Sequence, residues 1–179
     1  MTGSLRTESA LDRPDLLAEP VAAALRGWPP AARVRVAPID PALADTAAFC
    51  EAYGVPLDAS ANCVVVAGRR AAEVRYAACM VLATTRADVN TVVRRRLEAR
   101  KASFAPMDDA VALTGMAYGG ITPIGLPAGW PVLVDARVAA AGDVVIGSGV
   151  RHSKLVLPGE LLPDLPGAAV VVDLARPAG

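Results

Sequence analysis

No charge of either sign is in excess in this chain, whose eighteen lysines and arginines balance eighteen aspartates and glutamates. A protein that grips nucleic acid by bulk electrostatics carries a basic surplus, so contact with RNA would have to rest on local patches. Lysine is almost missing: sixteen of the basic residues are arginine, which leaves Lys101 and Lys154 to be followed individually. Histidine occurs once, at His152, and no Ser-His-Asp or Cys-His set suggests a covalent nucleophile. The three cysteines, Cys50, Cys63 and Cys79, are odd in number, widely spaced and set in apolar runs. That pattern excludes a disulfide framework and a zinc site, and reads as buried thiols in a reducing compartment with no metal or other cofactor. No apolar run approaches the roughly twenty residues that span a bilayer, and the N-terminus has no apolar leader segment. A cytoplasmic protein without a membrane partner is the expectation.

Apolar residues, by contrast, make up 54% of 179 residues, enough to bury one sizeable core without covalent staples. Apolar spacing predicts a helix over 15–28, provided that Pro20 falls in its first turn, with Pro29-Pro30 ending it. Residues 33–38 alternate like a strand with one wet face. A second helix is predicted over 42–53, stopped by Gly54 and Pro56. Cys63 to Ala67 reads as a buried strand, Arg69-Arg70 as a turn, and 73–84 as the next strand. Thr85 with Asp88 is an Asp variant of the capping box, opening a helix with Val89, Val92, Val93 and Leu97 on its buried stripe. Arg94, Arg95, Arg96 and Arg100 then face outward, either as a phosphate-contacting patch or as a solvated face whose basic end complements the helix dipole. A strand from Lys101, a short helix over 107–113, and strands at 132–135, 144–146, 155–157 and 169–172 follow, with a turn or short helix at 158–162. With no repeat or low-complexity linker, the fold class is α+β, a single domain with a mixed, strongly curved sheet flanked by helices.

The densest signal is Thr-Gly-Met-Ala-Tyr-Gly-Gly-Ile-Thr-Pro-Ile-Gly at 114–125, with four glycines and a proline in twelve residues. Glycine removes the Cβ that holds a ligand off the main chain, and Pro123 stiffens the turn, so the loop suits a cradle of amide donors or a tight structural turn. Around it stand Leu-Asp-Ala-Ser-Ala-Asn-Cys-Val-Val-Val-Ala-Gly at 57–68, Pro-Val-Leu-Val-Asp at 131–135 and Val-Val-Ile-Gly-Ser-Gly-Val-Arg at 144–151. In that order and spacing these segments resemble the YbaK/EbsC family of aminoacyl-tRNA editing domains, over about residues 43–175. Gly119-Gly120-Ile121-Thr122-Pro123 looks like the family's Gly-x-x-x-Pro loop.

The resemblance implies a partly closed, barrel-like sheet, with residues 1–42 as an N-terminal extension of one helix and one strand on the core and 43–179 as the editing domain. It implies hydrolysis of the ester between a misplaced small amino acid and tRNA, tRNA-Pro among the candidates. Aminoacyl-tRNA is then the partner, a synthetase or elongation factor a further one, and the oligomeric state stays open. Amides of the 119–123 loop would stabilise the carbonyl oxygen as it becomes an oxyanion, with water as nucleophile. Two departures bear on this. The family's lysine at the head of the 62–66 strand is Asn62 here, a neutral donor and acceptor. Where the family often carries an acidic residue, this chain has Arg151-His152-Ser153-Lys154, so Lys154 is a candidate to restore the lost charge from the opposite wall, with Gly147, Ser148 and Gly149 as the floor. Cys63 lies next to Asn62 with no basic neighbour, and Tyr118 would shape the mouth. His152 lacks an acidic partner in sequence and Asp135 reads as a turn-former. Two readings remain: a free-standing deacylase working without the usual lysine, or a binding module on the same scaffold for an aminoacyl or nucleotide-like ligand.

Overall fold

Continuous apolar strands, rather than alternating ones, require cover on both faces, and the layers of this fold supply it. The computed structural model describes residues 2–179. A short β1 (Glu8–Ser9) leads to α1 (Glu19–Arg26), where Pro20 occupies the first turn and so loses no helical hydrogen bond. Asp15 belongs to a separate 3-10 turn, Pro14–Leu16, which shortens the helix predicted from Asp15. After β2 (Arg35–Pro38), the predicted 42–53 helix divides into a 3-10 turn, Pro41–Leu43, and α2 (Thr46–Tyr53). Gly54, at φ 65°, ends α2 in the left-handed conformation.

The hairpin β3 (Ala61–Arg70) and β4 (Glu73–Leu82) runs in unbroken antiparallel register from Ala61 opposite Leu82 to Arg70 opposite Glu73. Arg69 and Arg70 are therefore ladder residues, and the turn falls at Ala71-Ala72. Thr85 does not cap a helix. It lies in β5 (Thr85–Ala87), and Asp88 alone is the cap, accepting from the Thr91 N–H at 3.1 Å. The helical segment that follows is a π-type turn, Val89–Val93, continued by α3 (Arg94–Arg96). Of the predicted buried stripe, Val89, Val93 and Leu97 are buried and Val92 is half-buried against them. Next come β6 (Lys101–Phe104), α4 (Met107–Thr114), β7 (Val132–Asp135), α5 (Ala136–Ala140), β8 (Asp143–Gly147), β9 (Ser153–Pro158), β10 (Ala168–Val171) and β11 (Ala175–Pro177). Pairing with β11 is what draws Thr85 into a ladder.

The strands form a four-stranded sheet, order β1-β2-β9-β8, a five-stranded sheet, order β10-β7-β4-β3-β6, and the β11-β5 pair. The five-stranded sheet is mixed, since β7 runs parallel to both β4 and β10. The larger sheets are linked by a single bridge between Ser60 and Val145 and do not close into a barrel. Between them lies the main core, where Val144 and Ile146 of β8 meet Met80 and Leu82 of β4, with Val21 and Leu25 of α1 plugging one end. The alternate residues serve the outer faces: Val145 and Val156 pack under Phe49 and Cys50 of α2, and Cys79 and Val81 under Val89, Val93 and Leu97.

Asp135 joins three elements. Buried at the end of β7, its carboxylate caps α5 through the Arg137 N–H (2.9 Å) and holds β11 through the Ala175 N–H (3.0 Å). It is a structural clamp rather than a base. Asp135→Ala is expected to lower the unfolding free energy by about 2–4 kcal/mol, because two charge-assisted bonds are lost and two amides are orphaned. Urea denaturation reads this directly, and an unchanged midpoint would contradict the clamp.

Candidate functional site

Because the two larger sheets are joined, among the described residues, only at the bridge between Ser60, just before β3, and Val145 of β8, the seam between them opens into a cavity of about 400 Å³. One wall is the head of β3, from Ala61 to Val65. The opposite wall is Val145 to Gly147 of β8 with Lys154 of β9. The N-terminus of α2 contributes Ala44, Asp45 and Thr46, and Tyr118, Gly119, Phe104 and Met107 frame the mouth.

The glycine loop reaches this seam because two backbones interlock. The Ala117 N–H donates to the Gly149 carbonyl (2.8 Å), and the Gly149 N–H donates to the Gly120 carbonyl (2.6 Å). A Cβ on Gly147 would stand 2.5 Å from the Gly120 carbonyl oxygen and 2.6 Å from that of Ile121, so only glycine permits the approach. The loop is thus both a cradle and a packing joint, and its residues divide between the two roles. Gly120 N–H is engaged by the Ala117 carbonyl (2.9 Å) and Thr122 N–H by the Met116 sulfur (3.4 Å). Among the described residues, the N–H groups of Tyr118, Gly119 and Ile121 have no acceptor, and all three residues line the cavity.

The structure brings Asn62, Cys63, Tyr118, Gly119, Ile121, Gly147 and Lys154 to the cavity. Gly120, Thr122, Pro123, Ser148, Gly149 and Arg151 do not line it, for identifiable reasons. Thr122 is fully buried behind the loop with its hydroxyl unpartnered. Pro123 faces a second, apolar cavity of about 530 Å³ bounded by Trp28 and Trp130. The Ser148 hydroxyl is buried, donating to the Ser153 carbonyl at 3.1 Å, and Gly149 lies against Ala18. Arg151 straps the mouth from outside, donating to the carbonyls of Tyr118 (3.1 Å) and Pro41 (3.3 Å), with Asp45 at 3.8 Å. His152 is exposed beside the Asp15 carbonyl and away from the cavity.

Lys154 is a buried cation in the cavity wall. It is only 8% exposed and makes no ion pair among the described residues. Its Nζ donates to the Ala44 carbonyl (3.0 Å) and lies 5.2 Å from the centre of the Phe49 ring. Loss of hydration lowers its pKa; Arg151 adds to that, while Cys50 and Asp45 oppose it. Across the cavity, Asn62 Oδ1 accepts from the Thr46 hydroxyl at 2.7 Å, which fixes the amide plane. Burial pushes the Cys63 thiol up, well away from a thiolate at neutral pH, so it is a wall and not a nucleophile.

This arrangement has relatives. A model of the aminoacyl-tRNA editing domain matches residues 40–165. The chain belongs to that family. Among solved structures, a protein described as a candidate trans-editing enzyme for prolyl-tRNA synthetase superposes with a TM-score of 0.73 at 20% identity, over 87% of this chain and 94% of that one. A hypothetical protein gives a TM-score of 0.75 at 20% identity, over 88% of this chain and all of the other. At such identity these likenesses speak to the fold alone. No match is found among curated proteins.

Within the editing domain, sequence reasoning missed Asp45, Thr46 and Ser60. They reach the cavity through the 3-10 turn before α2 and the bridge at Val145, neither of which has a local signature. In no described helix is there a stretch long and apolar enough to cross a membrane.

Lys154 carries a pH signature. Between its lowered pKa and the ordinary 10.5, the unfolded chain holds a proton that the folded one has released, so stability rises with pH across that window. Relative to Lys154→Met, wild type should therefore gain stability as the pH rises toward the ordinary lysine value of 10.5. Paired urea titrations measure the difference, and one that stays flat with pH would contradict a desolvated ammonium.

Proposed function

We propose that this editing domain is an aminoacyl-tRNA deacylase, cleaving the ester that joins a small misplaced amino acid to the 3′ end of tRNA. The observation that carries the reading is the meeting, in one cavity, of three unengaged loop amides and a buried ammonium with no carboxylate bonded to it. Ester hydrolysis moves negative charge onto the carbonyl oxygen as water adds to the carbonyl carbon. Fixed amide donors at Tyr118, Gly119 and Ile121 suit that oxygen, each typically worth about 3 kcal/mol. Collapse of the adduct breaks the acyl bond to the ribose oxygen, which leaves with a proton as free tRNA.

Lys154 contributes positive charge from the wall opposite Asn62, the position where the resemblance puts a lysine. Among the described residues Asp45 is the only carboxylate lining the cavity, and it suits the substrate's α-ammonium. Asn62, held by Thr46, offers its amide to the ester or ribose. With the Cys63 thiol protonated, water is the nucleophile, assisted by a ribose hydroxyl of the substrate. The small walls at Ala44, Ala61 and Gly147 favour a small acyl group, although one methylene changes discrimination by only about 1–3 kcal/mol.

Release of amino acid from tRNAs charged with Cys, Ala, Ser and Pro tests the reading. At least one should be deacylated, and Lys154→Met should lower kcat about a hundredfold with the fold intact. Absence of hydrolysis by folded wild type, with retained binding, would replace the enzyme by a binding module whose Asn62 marks the lost lysine.

A further inference from the structure

Neutrality overall conceals a strong segregation of charge. Nine of the eighteen basic residues, but three of the eighteen acidic ones, fall between residues 69 and 101. That segment is net +6 and the remainder net −6. Six of its nine cations meet at one end of the five-stranded sheet, whereas Arg86 lies beyond the other end of the β3–β4 hairpin. Arg69 pairs with Lys101 across β3 and β6, and the Arg100 N–H donates to the Arg69 carbonyl at 2.9 Å. Leu97 and Ala99 press on Gly68, which brings the end of α3 to the same place.

Arg69, Arg70, Arg95, Arg96, Arg100 and Lys101 are all exposed there. None makes an ion pair among the described residues, whereas Arg13, Arg33, Arg75, Arg137, Arg151 and Arg176 each face a carboxylate. Six unpaired cations at one pole of a neutral protein are a site for a polyanion.

Their relation to the cavity is fixed by β6. Lys101 begins that strand among the cations, and Phe104 ends it at the mouth of the cavity, 51% exposed. Three residues of strand span about 10 Å. β6 is an edge strand, so no neighbouring strand covers its outer side. An exposed aromatic ring at the mouth is a stacking platform for a single-stranded base, and the cations beyond it lie where the following phosphates pass.

We infer that the tRNA lies along β6, with its terminal nucleotides over Phe104 and its acceptor-strand phosphates on Arg69, Arg100, Lys101 and the α3 arginines. This rests on the deacylase reading and adds an orientation to it. The acidic remainder of the surface disfavours other approaches of a polyanion.

The test compares Arg100→Glu/Lys101→Glu with a control of equal charge change at exposed positions elsewhere, Arg6→Glu/Arg26→Glu. Affinity for uncharged tRNA is measured at several salt concentrations. KM and kcat are measured on aminoacyl-tRNA and on an aminoacylated CCA trinucleotide. The β6 pair should weaken tRNA binding at least about tenfold and reduce the log–log salt slope by about 1–2. It should raise KM for full-length tRNA with kcat unchanged, and leave the trinucleotide reaction at the wild-type rate. The control should stay within about twofold of wild type. Wild-type tRNA affinity in the β6 pair, as for a patch that serves an acidic protein, would overturn the inference, and so would an equal loss in the control. Amino-acid release by wild type reports the deacylase reading separately, because tRNA binding is scored without chemistry.

Discussion

Everything in the site depends on one main-chain contact, the interlock of the 117–120 turn with the 147–149 turn. Its two hydrogen bonds, Ala117 N–H to Gly149 O and Gly149 N–H to Gly120 O, hold the loop against the end of β8. Side chains cannot enter this joint, which is why glycine recurs on both sides of it. Three amides are left over at the face of the joint that borders the cavity, and a rigid backbone held elsewhere in the fold can present them to a bound group without reorganisation. Displacing the joint by an ångström would misplace amide donors and Gly147 wall together.

Lys154 shows the opposite strategy, a group held at an energetic cost. A buried ammonium with one carbonyl and one ring for company is less stable than an apolar side chain of the same size. Its tolerance in a cavity wall argues for a use, because packing alone would select methionine or leucine there. Asp45, which lowers the cost from a distance, is half of the strap formed with Arg151 across the mouth. Charge balance in the cavity and the position of the mouth are therefore coupled through the same few residues.

Much of this was legible in the sequence, and the limits have physical causes. β7 was readable to the residue, and β8, β9 and β10 nearly so, because their β-branched runs are bounded by glycine, proline or aspartate. Two-residue β1 and three-residue β11 were not, since such short edge pieces exist only by pairing with distant partners. The Thr85 cap failed for the same reason: local capping chemistry was present, but a ladder with the C-terminus took precedence. At the site, Asn62, Gly119 and Lys154 could be nominated from the resemblance to the editing family. Their convergence could not, nor could the division of the loop into free and engaged amides, because both depend on which backbone packs against which. The second cavity and the burial of Thr122 behind the loop had no sequence signal at all.

The order of strands also has a consequence for how the molecule is made. The β3–β4 hairpin closes through neighbours in sequence, a local event that folds on the microsecond scale in isolated systems. The four-stranded sheet instead joins Arg35–Pro38 to Ser153–Pro158, across more than half the chain, and such distant pairings carry the loop-closure cost that slows folding. The cavity lies in the seam between these two sheets. A nascent or partly folded chain that holds the hairpin alone thus possesses the Asn62 wall but neither the Lys154 wall nor the interlocked loop, so the cavity is complete only with the last long-range contacts and not before.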